Sequence, residues 1–411
     1  MKSLLFSILL SLCATPLFAQ NWPQFGGPTF DGVSPSTKIP TEWSETKNVK
    51  WKIPIHGQGW SCPVVWGDQI WLTTATLDGK KMSAVCVDAK SGKIIHDKVL
   101  FENEKLDFKH EFNSFASCTP AIEEGRVYIH FGSYGTACLD TKTADVIWQR
   151  RDLPCNHWRG PGSSPILHDG KVLIHFDGYD HQYIAALDKL TGETVWKTDR
   201  THDYGTDDGD QMKAYATPLV INVNGFEQII SPAAKGVIAY DPKTGKEIWH
   251  VRYTEHSVSI RPHYWKGLLL VNTGWSKAQL LAIDPTGKGD VTDTHVKWRL
   301  DKSIPTMPST VIVDDLLYMV HQDGVAQCVD PKNGDVVWSK RVGGKFCASA
   351  LASGNHVYFF SQEGKATVIS AGREFKEVAV NSLEDGFMSS PATIGDDLIL
   401  RTKTHLYRIG E

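Results

Sequence analysis

The chain has 411 residues, with 43 basic and 47 acidic side chains and a formal net charge of −4. That length supports a large core, and the near balance of charge argues against a general nucleic-acid or anionic-membrane surface. The 35 glycines and 14 tryptophans suit a fold with many tight turns and large packing side chains.

The first 19 residues read as an export signal. Lys2 supplies the charge, residues 4–12 the apolar run, and Leu17-Phe-Ala19 the small-residue site before Gln20. The run is too short to span a membrane. Cys13 follows Leu12, where a lipoprotein signal takes a small residue, so the mature chain is read as unlipidated and periplasmic or secreted. Seven cysteines remain, an odd number with no Cys-x-x-Cys spacing, which gives zinc or redox readings no support.

Residues 20–47 carry Pro, Gly and aromatics without a helical or strand period. They read as an extended arm pinned by Trp22, Phe25 and Phe30. Residues 48–55 then alternate as a strand around Trp51. Beyond it the chain repeats itself. Asp140 precedes Trp148, Asp188 precedes Trp196, Asp241 precedes Trp249 and Asp330 precedes Trp338, each by 8 residues. Asp284 reaches Trp298 through a longer turn, and residues 369–380 hold a worn copy. Upstream of each turn a small residue precedes proline, as at Cys62-Pro63, Thr119-Pro120, Ser164-Pro165, Thr217-Pro218 and Ser390-Pro391. Arg261-Pro262 and Met307-Pro308 take the same slot with large side chains. Four strands in roughly 45 residues make one propeller blade. Starts near residues 61, 117, 162, 215, 259, 307, 347 and 388 predict an all-β propeller of eight four-stranded antiparallel blades over residues 48–411. The last blade lacks a Trp-bearing fourth strand, so residues 48–55 are expected to complete it and close the ring.

The pattern Ala-Leu-Asp-x-x-Thr-Gly-x-x-x-Trp, clearest over residues 186–196, resembles the pyrroloquinoline-quinone (PQQ) repeat of the quinoprotein alcohol dehydrogenase-like propellers. The resemblance covers about residues 48–411. BamB-like proteins, non-catalytic partners in outer-membrane barrel assembly, are similar to the same propeller. The resemblance implies two activities. Catalytic members carry PQQ on calcium with an aspartate nearby, and many have adjacent cysteines. This chain has no such pair, and neither the calcium ligands nor the aspartate transfer to particular residues.

The repeated tryptophans and the cysteines at 86, 138 and 328 read as packing, because equivalent sites in many blades cannot form one pocket. Cys62 and Cys118 lie in neighbouring blades, where packed thiols are favoured over a disulfide. Departures from the repeat are more informative. Arg261, followed by His263, puts a guanidinium at the central channel, where it needs either a carboxylate or a bound anion. The loops entering blades three and four, with residues 175–181, place Trp158, Arg159, Asp177, Tyr179, Asp208, Asp210 and Lys213 around one channel mouth, as solvated loop residues or as a ligand site. Residues 207–210 lack the spacing of a calcium loop, and His130 with His175 is too few for a metal.

No catalytic or metal-binding residue is assigned. The residues favour an exported, non-catalytic binding or scaffold protein whose propeller face takes an envelope protein or small ligand. The alternative is a PQQ- and calcium-dependent oxidoreductase acting on alcohols or sugars.

Overall fold

The computed structural model describes residues 21–411; the export signal, its cleavage site and Cys13 lie outside the described residues. Eight antiparallel sheets form a ring. Within each blade the strands follow chain order from the axis outward, as in blade one with Val64–Trp66, Gln69–Ala75, Lys81–Asp88 and Ile94–Glu102. Blade eight departs from this order. Its outer strand is Val49–Pro54, paired antiparallel with His405–Ile409, so both ends of the propeller meet in one sheet and the edge of His405–Ile409 is covered.

The physical basis of the repeat lies at the outer corners. The Asp188 carboxylate accepts the amides of Leu190 (2.8 Å) and Thr191 (2.9 Å), and Asp140 and Asp241 cap their turns in the same way. This fixes the turn by an Asx-type bond. Gly192 then sits at φ +75°, and a β-carbon there would lie 2.6 Å from the Trp148 ring of the preceding blade. The position needs glycine both for its backbone angle and for the close approach of the indole. The indole Nε1 of Trp148 donates to the Lys189 carbonyl of the same turn (3.0 Å). Trp51 does the same to Ala89 (2.8 Å), so the closing strand joins blade one by the contact used elsewhere around the ring.

Trp249 is the exception. It is fully buried and its Nε1 donates to Gln228 (2.8 Å), whose amide donates to the Pro285 carbonyl (3.1 Å). The longer turn between Asp284 and Trp298 explains the relay. Its residues Gly289–Asp290 pair parallel with Trp249 and His250, adding a short fifth strand to blade four.

Two sequence expectations need correction. Met307-Pro308 does not occupy the inner-strand slot; that strand is Val311–Val313, so the equivalent pair is Ser309-Thr310, two residues later. The slot is also more than a small residue. The amide of Cys62 donates to the Thr119 hydroxyl, Thr119 to Ser164, Ser164 to Thr217, Arg261 to Ser309, Ser309 to Ser349 and Ser349 to Ser390. Six of the eight blades thus hand one hydrogen bond to the next around the axis, in place of the ladder that separate sheets lack. All seven described cysteines, including Cys62 and Cys118, are free thiols, and six of them are buried.

The arm runs across the end of the channel opposite the loops that connect successive blades. Trp22 forms a bridge with Val65 of blade one, and Val33 with Ala352 of blade seven. The Pro23 carbonyl accepts the Ile122 amide of blade two (2.8 Å). Trp43 stacks on Tyr358 and Phe360 at 6.4 and 6.5 Å. Trp22, Ile39 and Trp43 are buried in the core shared by blades one, seven and eight, while Phe30 packs on the cores around blade four. Phe25 and Phe30 are only half-buried, so the arm is pinned more by Trp22 and Trp43.

Four buried histidines and the half-buried His202 give this fold an acid limit. Burial lowers His130 to about 3, His157 and His202 to about 4, His263 to about 3, and His175 well below its ordinary range. Between about pH 6.5 and 4 the unfolded chain therefore binds more protons than the native one, and stability falls as pH falls. His157 Nε2 accepts the Ser133 amide (3.0 Å), which a glutamine carbonyl can replace. His157→Gln should reduce the slope of unfolding free energy against pH by up to about 1.4 kcal/mol per pH unit in that window. An unchanged slope in urea melts from pH 7 to 4 would count against the buried neutral imidazole.

Candidate functional site

Three of the connections between blades stand out by length. Residues 103–120, 151–165 and 200–218 link blades one to two, two to three and three to four, whereas the other connections have nine or ten residues. All three lie on the face away from the arm, and they are tied together. Asn113 Nδ2 donates to the carbonyls of Arg159 (2.9 Å) and Pro161 (3.1 Å). The Asn156 amide donates to Asp180 (2.7 Å), and the Tyr179 amide to the Asn156 carbonyl (2.6 Å). Gly209 lies so close to Tyr179 that a β-carbon would meet its carbonyl at 2.2 Å.

On this base stands an aromatic row. The Trp158 ring lies between Phe108 (5.4 Å) and Tyr179 (5.0 Å). Phe108 is 54% exposed and Tyr179 41%, so the row faces solvent. Trp158 is held at φ +59°, a left-handed conformation costly for a bulky residue. The Asn156 side chain accepts the Trp158 amide (2.8 Å) and steadies that turn.

Beside the row Arg159 pairs with Asp210 (3.2 Å), and Asp210 also binds the Lys213 ammonium. Burial opposes ionisation of Asp210, but Lys213 and Arg159 hold it below the usual carboxylate range. Burial pushes Lys213 down from its ordinary value. Its side chain is covered and bound to both the carboxylate and the carbonyl of Asp210. Lys213 therefore anchors the loop from below rather than offering charge at the surface. Asp208 caps the short 3-10 turn Gly209–Gln211 by accepting the Asp210 amide (3.0 Å).

Of the residues expected at the mouth, Trp158, Arg159, Tyr179 and Asp210 thus converge, with Asp208 and Lys213 supporting them. Asp177 does not reach the mouth. It is fully buried in a two-pronged pair with Arg200, Nη2 to Oδ2 being 2.7 Å. Burial raises the Asp177 carboxyl; the two-pronged geometry nevertheless identifies an ionised pair. Arg261 and His263 lie elsewhere, on the channel wall against Phe30, Ser309 and Thr310. Phe108 and Asn113 escaped the sequence reading. Their signal was the length of residues 103–120 and two aromatics in a charged stretch without alternation.

At Arg261 the axial channel leaves a cavity of about 20 Å³, floored by Trp22, Phe25 and Gly26 of the arm. That admits a water-sized group. A PQQ–calcium unit does not fit this cavity: it is too small, its wall is hydroxyls and one arginine, and among the described residues no three His, Cys, Asp or Glu side chains converge on a metal position.

Ring, repeat and closing strand define an eight-bladed propeller of PQQ-like repeats. The family model described as outer membrane protein assembly factor BamB matches residues 51–234 and 180–410, and the chain belongs to that family. Among solved structures it is similar to BamB from Moraxella catarrhalis (TM-score 0.61, 13% identity, 88% of this chain and 99% of that one). It is also similar to quinohemoprotein alcohol dehydrogenase from Comamonas testosteroni (TM-score 0.68, 13% identity, 95% and 80%) and to a europium-containing methanol dehydrogenase (0.68, 11%, 94% and 90%). A curated relative, tetrathionate hydrolase from Acidithiobacillus ferrooxidans, is 24% identical over 197 residues. That match spans 45% of this chain and about a third (36%) of the relative's length.

Proposed function

We propose that this protein is a non-catalytic binding or scaffold propeller of the cell envelope, periplasmic or secreted, which presents the rim over blades two to four to a protein partner. The observation that carries this reading is the aromatic row of the exposed Phe108 and Tyr179 with the half-buried Trp158 between them, on loops bonded to one another and flanked by charge. Aromatic anchors on a rigid base with a charged edge are the usual makeup of an interface centre. The family match supports the same reading.

The alternative is a PQQ-dependent oxidoreductase acting on alcohols or sugars, favoured by the likeness to two dehydrogenase structures. The size and lining of the axial cavity weigh against it. Photo-crosslinking in cells separates the two. A crosslinker at Phe108 or Tyr179 should yield one discrete adduct with an envelope protein, and one at Phe226, exposed on the opposite face, should not. Equal labelling from all three positions sinks the rim as the docking surface. Dye reduction by purified protein supplied with PQQ, calcium and an alcohol or sugar would establish the alternative. Turnover of tetrathionate would overturn both.

A further inference from the structure

Three arginines are buried among the described residues: Arg200, Arg261 and Arg401. Arg200 is neutralised by Asp177. Arg401 donates through Nη1 to the Ser61 carbonyl (3.0 Å), the Ser61 hydroxyl (2.8 Å) and the Thr73 carbonyl (2.9 Å). Arg261 differs from both. It is 2% exposed, and its Nε has no hydrogen-bond partner. The opposing charge nearest in effect is Asp31 of the arm, but one oxygen of that carboxylate is committed to the Thr29 hydroxyl (2.7 Å) and the Val33 amide (3.0 Å). On the other side the guanidinium faces the Phe30 ring at 5.9 Å. His263, two residues on, is held neutral by burial and by Arg261 itself, so it adds no compensating charge. A buried guanidinium left in this state is costly.

The space in front of it is the axial cavity of about 20 Å³, lined by Arg261, Ser309, Ser349, Ser390, Gly26 and Asp31. The hydroxyls of Ser309 and Ser349 each accept an amide from the preceding blade, at 3.3 and 3.2 Å. Their own protons therefore remain to be donated. The Asp31 carboxylate also lines this space, but it forms no ion pair with Arg261 and one of its oxygens is held by Thr29 and Val33; the guanidinium and the two hydroxyl donors around the water-sized space therefore form a receptor for a small anion, not for a cation or an organic acid. We propose that this cavity binds a single halide-sized monovalent anion, chloride in the cell, held by Arg261, Ser309 and Ser349 and closed by residues 25–32 of the arm. The anion neutralises the guanidinium and joins the arm to blades five to seven. This site is independent of the rim and of any partner bound there.

Bromide is the probe. Crystals grown from protein dialysed into sodium bromide should show an anomalous peak on the axis beside the Arg261 guanidinium. Melting temperature should rise by about 2–4 °C in sodium chloride over sodium gluconate of equal ionic strength, and saturate. Arg261→Met should abolish the halide-dependent part, and Ser349→Ala should shift its midpoint to higher chloride. If Arg261→Met does not fold, the bromide peak and Ser349→Ala decide. A cavity with no anomalous signal, or equal melting in chloride and gluconate, overturns the proposal in favour of bound water.

Discussion

Deleting residues 48–55 should abolish cooperative unfolding and drive the protein to aggregate. Val49–Pro54 supplies the whole outer strand of blade eight, so its loss bares the unpaired edge of His405–Ile409 to other chains. The damage does not stop at one sheet. Val49, Trp51 and Ile53 pack on the core shared by blades one, seven and eight. Trp51 also covers Gly92 and bonds to Ala89 in blade one. Without that strand blade eight keeps only three strands and loses its outer contacts to blade one. Circular dichroism melts with light scattering would test this, and a soluble deletion variant with an unchanged melting curve would falsify the closure.

Asp177→Ala should cost about 3–5 kcal/mol, because it strands the Arg200 guanidinium in the core without its carboxylate. The pair is fully enclosed, with side chains 0% and 1% exposed. Its surroundings offer little relief: the Tyr240 hydroxyl lies at 3.3 Å from Arg200 Nη1, and the Tyr204 hydroxyl is buried without a partner. Replacing both members by apolar residues, Asp177→Leu with Arg200→Met, should recover most of the loss, since neither charge then needs a partner. Urea midpoints of the single and double variants give the comparison. A single variant within 1 kcal/mol of wild type would mean that water or another group already reaches Arg200.

Some of this was legible from residue order and some was not. The turn Asp, the Gly and the Trp recur at fixed offsets because each serves one local corner, and a local requirement leaves a local pattern. Eight blades and the closing strand followed from counting those corners. The hydroxyl ring was half visible. The small residue before proline was apparent, but its alignment in blade six slipped by two residues, since Met307-Pro308 carries a proline that Ser309-Thr310 lacks. The hydrogen bonds, not the proline, define the slot.

The candidate site was legible only as a set of loops. Trp158 and Tyr179 could be placed at one mouth because connections of known type open on one face of a propeller. Phe108 and Asn113 could not, because nothing in residues 103–120 indicates which neighbour they touch. Asp177 was misplaced for a related reason. A carboxylate beside Gly178 and Tyr179 reads as loop chemistry until Arg200, 23 residues later, closes on it in the core. Order along the chain determined the blades, their number and where the repeat breaks, because those rest on contacts between near neighbours and on periodicity. Only the tertiary structure decided which charges are spent internally, as at Asp177 and Lys213, and which remain open, as at Arg261. That distinction depends on groups from distant blades and from the arm meeting at the axis, and no spacing records it.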